Sequence, residues 1–149
     1  MTSYVAATMI LFALSLGSAA GAAESDQATA PAARTIVLER EEITPNRLTL
    51  ATGSTLTFRN TSEDTLRLMF RGKGDLKKKI TCSAPTGSPP GPALDELIDM
   101  EGDELRMLVP SGAFPGRCTL APGDYTFAVH PETDREEALT PPQGLIFAK

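Results

Sequence analysis

Residues 42–60, EITPNRLTLATGSTLTFRN, give the clearest indication of the fold. Pro45 predicts a turn, and the segment after it contains two short runs that alternate in polarity. In residues 54–58 (STLTF), Leu56 and Phe58 alternate with threonines, which is the period of a strand with one buried face. Short strands separated by turns predict a β protein.

The same pattern extends in both directions along the chain. Strands are expected in TIVLER, LRLMF, ELRMLV, DYTFAV and GLIFA, at residues 35–40, 66–70, 104–109, 124–129 and 144–148. Residues 93–100 (ALDELIDM) fit either a short helix or a strand. Because 12 glycines and 12 prolines accompany these strands and no long helical period occurs, the predicted fold is an all-β, Greek-key β-sandwich of about seven to eight strands with one disulfide.

The candidate core consists of the apolar residues on one face of each predicted strand. They are Ile36, Leu38, Leu48, Leu50, Leu56, Phe58, Leu68, Phe70, Leu105, Met107, Val109, Tyr125, Phe127, Leu145 and Phe147. This set is large enough for a small domain that a disulfide supplements.

Length and charge limit the classes of function. The 149 residues suffice for one domain with appendages, and the net charge of −5 argues against nucleic-acid binding, which needs a basic face. His130 is the one histidine, and this excludes a zinc or copper site built from several histidines of one chain.

Residues 1–22 are predicted to be a signal peptide. No charged residue precedes Glu24, and the apolar run Val5–Leu16 is followed by small residues. Ala20 and Ala22 fit the two small positions before a cleavage site, and a second site would end at Ala20. An uncleaved anchor is the alternative, but the apolar run is shorter than the roughly 20 residues of a membrane span.

Export would leave residues 23–34 as a flexible leader and residues 35–149 as the domain, in the periplasm or outside the cell. In that oxidising setting we expect Cys82 and Cys118 to form a disulfide that stabilises the fold by roughly 4 kcal/mol. A metal thiolate or a redox pair is the alternative, although the spacing is far from C-x-x-C.

Three segments resemble the periplasmic cupredoxin-like domains. Residues 42–60 match their run TP-x-x-x-x-L-x-x-G-x-x-x-x-F-x-N, and PGDYTFAVHPET (122–133) with GLIFAK (144–149) resembles their last two strands. The His-Pro-x-Thr piece is closest to the domains that accompany periplasmic iron uptake, in which a segment of type E-F-E-S-x-D-L-x-x-E-K stands where MFRGKGDLKKK (69–79) stands here. The resemblance covers most of residues 35–149. It implies a cupredoxin-like accessory protein of an uptake or respiratory system, with a periplasmic or membrane-bound protein partner.

The resemblance does not extend to the family's metal ligands. Type 1 copper needs two histidines and a cysteine, but the corresponding positions read Leu66–Met69 and Ala128–Val129. The acids of the iron-uptake segment are replaced by Met69, Arg71 and Lys78, which do not suit a hard cation.

His130 and Met69 are the candidate metal ligands that remain. The resemblance places His130 on the terminal loop, at the end of the fold where cupredoxins hold their ligands, and Met69, at the matching position on an earlier strand, would face it, with Met100 or Met107 as a third ligand. Imidazole and thioether suit Cu(I), so the compatible cofactor is a weakly bound copper or iron ion. The alternative is that His130 is an ordinary loop residue before Pro131 and that Met69 fills a gap in the core.

A basic loop at residues 71–79 is the candidate docking site for a protein partner. Its basic residues are Arg71, Lys73, Lys77, Lys78 and Lys79. An acidic segment follows at residues 95–104. The loop would attract an acidic partner, or the two segments are solvated loops that partly neutralise each other.

No sequence motif supports catalysis. The chain has no G-x-S-x-G elbow, phosphate-binding loop or dinucleotide fingerprint. We therefore expect a protein that is not an enzyme: a carrier of copper or iron, a metal-free interaction module, or a subunit of an exported redox enzyme that docks through residues 71–79. Any contact with a membrane would be made through its partner.

Overall fold

The computed structural model describes residues 31–87, 91–132 and 140–149. The predicted signal peptide and residues 23–30 of the predicted leader lie outside these ranges. The elements in chain order are β1 (Ala33–Leu38), β2 (Ile43–Thr44), β3 (Arg47–Leu50), β4 (Thr55–Asn60), β5 (Leu66–Gly72), α1 (Leu76–Lys79), β6 (Ile80–Ser83), α2 (Leu94–Leu97), β7 (Ile98–Glu101), β8 (Glu104–Val109), β9 (Gly112–Ala113), β10 (Arg117–Leu120), β11 (Gly123–Pro131) and β12 (Gln143–Ala148). No helix within these ranges is long and apolar enough to cross a bilayer.

The strands form two mixed sheets of six strands each. The first sheet has the order β2-β1-β4-β10-β6, with β9 added to the end of β4, and the second has the order β3-β12-β11-β5-β8-β7. The pairs β1/β4 and β3/β12 are parallel, and the other pairs are antiparallel. The predicted all-β sandwich is confirmed. The described residues form more strands than the seven to eight predicted, because several pairings are only two to four residues long.

The alternation in polarity places one face of each sheet in a shared core. In β4, Leu56 and Phe58 are buried while the threonines between them are half-buried, as predicted. The Phe58 ring meets those of Phe70, Phe114 and Phe127 edge-on, with centroids 6.0, 6.3 and 6.3 Å away. Edge-to-face contacts of this kind add to the free energy of area burial. Phe58 therefore joins the two sheets at the centre of the molecule.

The predicted inward face of β12 is wrong. Leu145 and Phe147 point outward and stay half-buried, whereas Ile146 is fully buried. Both faces of GLIFA are apolar, so alternation alone did not decide between them. Gly144 decides it, because the Phe127 ring packs where a side chain would start: a Cβ on Gly144 would lie 2.2 Å from the ring. Outward-facing Phe147 instead packs under Arg47, whose guanidinium carbon lies 5.5 Å from the ring centroid.

The predicted disulfide is confirmed. Cys82 on β6 and Cys118 on β10 are directly opposite each other, and their sulfur atoms are bonded at 2.03 Å. It joins the edge strand of the first sheet to its neighbour. Cys118 is buried in the core, so the disulfide adds a covalent link to a region that packing already stabilises.

Three local expectations change. The predicted basic loop is not a loop throughout, because Arg71 and Gly72 end β5 and the three lysines form α1. Residues 93–100 are both a helix and a strand, α2 followed by β7. The first strand begins at Ala33, two residues before the predicted start of the domain, because Ala33 and Arg34 already pair with β4.

Candidate functional site

β5 and β11 lie side by side in the second sheet and carry both candidate metal ligands. Leu66, Leu68 and Phe70 of β5 are buried, so the residues between them point outward. In β11, Tyr125, Phe127 and Val129 are buried, so His130 points outward as well. This exposed side of the second sheet, which carries Arg67, Met69 and Arg71 of β5 and His130 of β11, is its outer face.

The register brings His130 and Met69 near each other but not opposite each other. His130 pairs with Arg67, and Met69 pairs with Ala128. The two candidate ligands are therefore diagonal neighbours on one face, which places their Cβ atoms within the roughly 7–8 Å that long side chains can bridge. His130 lies in a strand and not on a loop, and outward-facing Met69 does not fill a gap in the core.

Neither of the two further methionines joins them. Met107 is fully buried on the inner side of β8. Met100 packs against the core from β7, at the far edge of the sheet. Among the residues that the structure describes, no three His, Cys, Asp or Glu side chains cluster as a metal would require. The donor set is therefore one imidazole and one thioether, which fits neither type 1 copper nor a hard iron site.

The electrostatics around His130 favour the neutral ring. Burial, followed by the charges of Arg67 and Arg71, lowers the pKa of His130 below its ordinary value of 6.5, while Glu104 acts in the opposite direction. A neutral imidazole is the form that binds metals. The positive charges of Arg67 and Arg71 would also repel a metal cation. The surroundings of His130 therefore keep a ring nitrogen free to bind a metal but disfavour the positive charge of that metal.

The basic residues predicted for docking are Arg71, near the end of β5, and the lysines in and just before α1. Arg71 forms an ion pair with Glu104 on β8. Lys78 pairs with Asp75 at 3.2 Å and lowers the pKa of that carboxyl group, chiefly through their hydrogen bond. Lys79 donates to the carbonyl of Lys73 at 2.6 Å. All the lysines except half-buried Lys79 are exposed, so α1 forms a basic protrusion on the surface.

The basic and acidic segments meet at one corner of the sandwich. The β5–α1 connection and the β7–β8 turn border an open cleft of about 510 Å³, lined by Gly72, Gly74, Asp75, Leu76, Met100 and Asp103. The Arg71–Glu104 pair joins the two segments, so part of the predicted neutralisation occurs. Lys77 has no ion-pair partner in residues 31–87, 91–132 and 140–149, and the neutralisation is incomplete.

Arg67 belongs to the same basic segment of the sequence as residues 71–79, but it was not predicted to be a docking residue. Arg67 is half-buried, and its Nε is the one buried side-chain nitrogen or oxygen of the described residues that lacks a hydrogen-bond partner. The alternation in LRLMFR already places Arg67, Met69 and Arg71 on one face. The missing signal was the pairing with β8 and β11, which local sequence does not contain.

No protein-family model and no curated protein matches this sequence.

Proposed function

We propose that the protein is a cupredoxin-like binding module of the periplasm or cell exterior that acts without catalysis by docking to a protein partner. The docking surface comprises α1 with its lysines and the adjoining outward residues of β5. The observation that carries this proposal is the lysine turn of α1, in which Lys77 and Lys78 are exposed, Lys79 is half-buried, and the one ion pair that the three form with described residues is Lys78–Asp75.

The positive charge of α1 argues for an acidic partner. The chain as a whole carries −5, so a compact basic protrusion on it is a local feature and not part of a general basic surface. Such a patch speeds the encounter with an acidic surface and fixes the orientation of the complex, and it does so less effectively at high salt.

Charge reversal tests this proposal. A variant with Lys77→Glu, Lys78→Glu and Lys79→Glu is compared with wild type in capture from a cell-envelope extract, with quantitative mass spectrometry of the retained proteins. The matched control carries Arg34→Glu, Arg59→Glu and Arg117→Glu, which are exposed positions of the first sheet with the same total change in charge. We expect a defined protein to be retained by wild type and control and lost by the lysine variant. Equal retention by all three chains would refute the proposal.

Weak Cu(I) binding is the second candidate function. It is favoured by the placement of His130 and Met69 on one face and by the lowered pKa of His130, which keeps the ring neutral. These two residues would hold the ion, and the ion would be the cargo of an uptake or respiratory system. With Arg67 and Arg71 beside them, the geometry supports this candidate less well than docking.

Cu(I) titration against a competing chelator tests this second candidate. His130→Ala and Met69→Leu are each expected to weaken binding about tenfold or more, because each removes one of two ligands. The control is Met107→Leu, whose thioether is buried in the core. If His130→Ala binds Cu(I) as well as wild type, this site is not a copper site.

A further inference from the structure

Four arginines point outward from the second sheet, and three of them have partners on that face. Arg47 lies over the Phe147 ring, Arg71 pairs with Glu104, and Arg106 pairs with Asp99 at 3.4 Å. Arg67 takes part in no ion pair or side-chain hydrogen bond among the described residues. Arg67 is thus the one arginine of the four that has neither an ion pair nor an aromatic partner among the described residues.

Among the described residues, those directly opposite Arg67 and next to it on the outer side of β5 carry no negative charge. Leu108 is directly opposite on β8, His130 is directly opposite on β11, and Met69 is the next outward residue on β5. Glu132 follows at the end of β11, but it is exposed and forms no ion pair with Arg67 within 4 Å. A guanidinium in such a setting has lost water from Nε and has gained no acceptor in return, which costs free energy.

We propose that the docking surface extends along the outer side of β5 to Arg67, at the end of the strand away from α1, and that the partner's segment there presents a carboxylate to the guanidinium and an apolar side chain to Met69 and Leu108. A carboxylate accepts two parallel hydrogen bonds from the planar guanidinium, which is the strongest pairing available to an arginine. The inference rests on the proposed function, because it names the chemistry of the docking partner.

The same face argues against other occupants. A free anion would gain nothing from Met69 and Leu108. A protein segment that combines a carboxylate with an apolar group matches both properties of the site.

Titration by nuclear magnetic resonance tests the proposal on the intact protein. The probe is the blocked peptide Leu-Glu-Phe-Glu-Leu, and the matched arm replaces both glutamates by glutamine. We expect the Arg67 Nε–H signal and the His130 ring signals to shift and saturate with the glutamate peptide, with the glutamine peptide binding about tenfold or more weakly. The carboxylate is also expected to raise the pKa of His130, which faces Arg67 and Arg71 on β5 and Glu104 on β8, with Glu132 next along its own strand.

Two variants of Arg67 and two control variants test whether peptide binding depends on the Arg67 guanidinium. Arg67→Met keeps the apolar stem and is expected to weaken the glutamate peptide about tenfold or more, while Arg67→Lys, which lacks the planar fork, weakens it less. Arg59→Met on the exposed side of the first sheet and Glu132→Gln are expected to leave the affinity within about twofold of wild type.

Three results would overturn the proposal: equal binding of the two peptides, equal saturation by inorganic phosphate, or a self-association of wild type that Arg67→Met abolishes. Equal binding of the two peptides would show that the site does not recognise a carboxylate. Equal saturation by phosphate would show that it does not require a protein segment. The self-association would show that a second copy of this chain occupies the site. The lysines of α1 are unchanged in Arg67→Met. If this variant still captures the envelope protein that the lysine variant loses, the inference fails and the proposed function stands.

Discussion

The two sheets share one core but present different chemistry to solvent. The outward positions of the first sheet are mostly threonines, and two of their hydroxyls donate to nearby backbone: Thr57 to the carbonyl of Gly116 at 3.2 Å and Thr119 to that of Thr81 at 3.4 Å. The outer face of the second sheet carries arginines, a histidine and a methionine, and the donors of Arg67 remain unused. The first sheet therefore uses its outward residues for β structure, as β-branched residues do, while the second leaves groups available for binding.

The difference separates two roles within one fold. The disulfide joins an edge strand of the first sheet to its neighbour, and the outward threonines of that sheet favour strands. The second sheet holds a half-buried cation that has no ion-pair or hydrogen-bond partner among the described residues, which stability alone does not favour. The following measurements test whether stability and binding are divided in this way.

The largest effect is expected where the sheets meet. Phe58→Ala removes a ring that contacts Phe70, Phe114 and Phe127, so we expect the free energy of unfolding to fall by about 3–5 kcal/mol. Urea denaturation followed by circular dichroism measures it, with Thr57→Ala as the control on the outward side of the same strand. A loss below about 1 kcal/mol would mean that the sheets do not depend on this cluster.

Removing the disulfide is expected to act on the first sheet. Cys82→Ala with Cys118→Ala opens a link that spans 36 residues, and unfolding should become easier by about 2–4 kcal/mol because the unfolded chain gains freedom. Wild type in reductant serves as the comparison. We expect the His130 ring signals at neutral pH to stay unchanged. Their displacement would show that the outer face of the second sheet depends on the disulfide.

Asn60 connects the sheets through polar contacts. Its Nδ2 donates to the carbonyls of Asp64 at 2.7 Å and of Val109 on β8 at 2.9 Å, and its Oδ1 accepts from the Ser62 N–H at 2.9 Å. Asn60→Ala should lower the free energy of unfolding by about 1–3 kcal/mol, because it leaves a buried carbonyl without a donor. Ser62→Ala, which removes the part-buried hydroxyl that donates to Asn60 Oδ1 at 2.7 Å and to the Asp64 carbonyl at 3.1 Å but keeps the bond to β8, should cost less. Equal losses in the two variants would contradict a special role for the bond to β8.

The smallest effect concerns His130 and pH. Since folding lowers its pKa below 6.5, the unfolded chain binds more protons in this range, and stability should fall as the pH drops from above 6.5 through the folded pKa. His130→Asn should flatten this part of the profile. Arg67→Met should raise the His130 pKa toward its ordinary value, as measured by proton resonance of the ring. An unchanged pKa in Arg67→Met would contradict the coupling between these opposed residues.

Much of the fold was predictable from local pattern. Leu56, Phe58, Leu68 and Phe70 follow a period of two between threonines or charged residues, so their buried face was correctly predicted. The pattern did not predict β12, where both faces are apolar and the packing of Phe127 on Gly144 decides which one is buried. α1 was also missed, because its three lysines carry no apolar period and only Leu76 anchors it in the core.

The candidate site was predictable only in part. The sequence alone determined the sandwich, the disulfide partners and the basic segment, since each depends on local period, residue type or a count of two. Tertiary structure alone decided that Arg67 lies opposite His130 and that, among the described residues, three neighbouring arginines have partners while Arg67 has none. These facts depend on strand register between segments about 40 to 60 residues apart, which is set by the packing of the core.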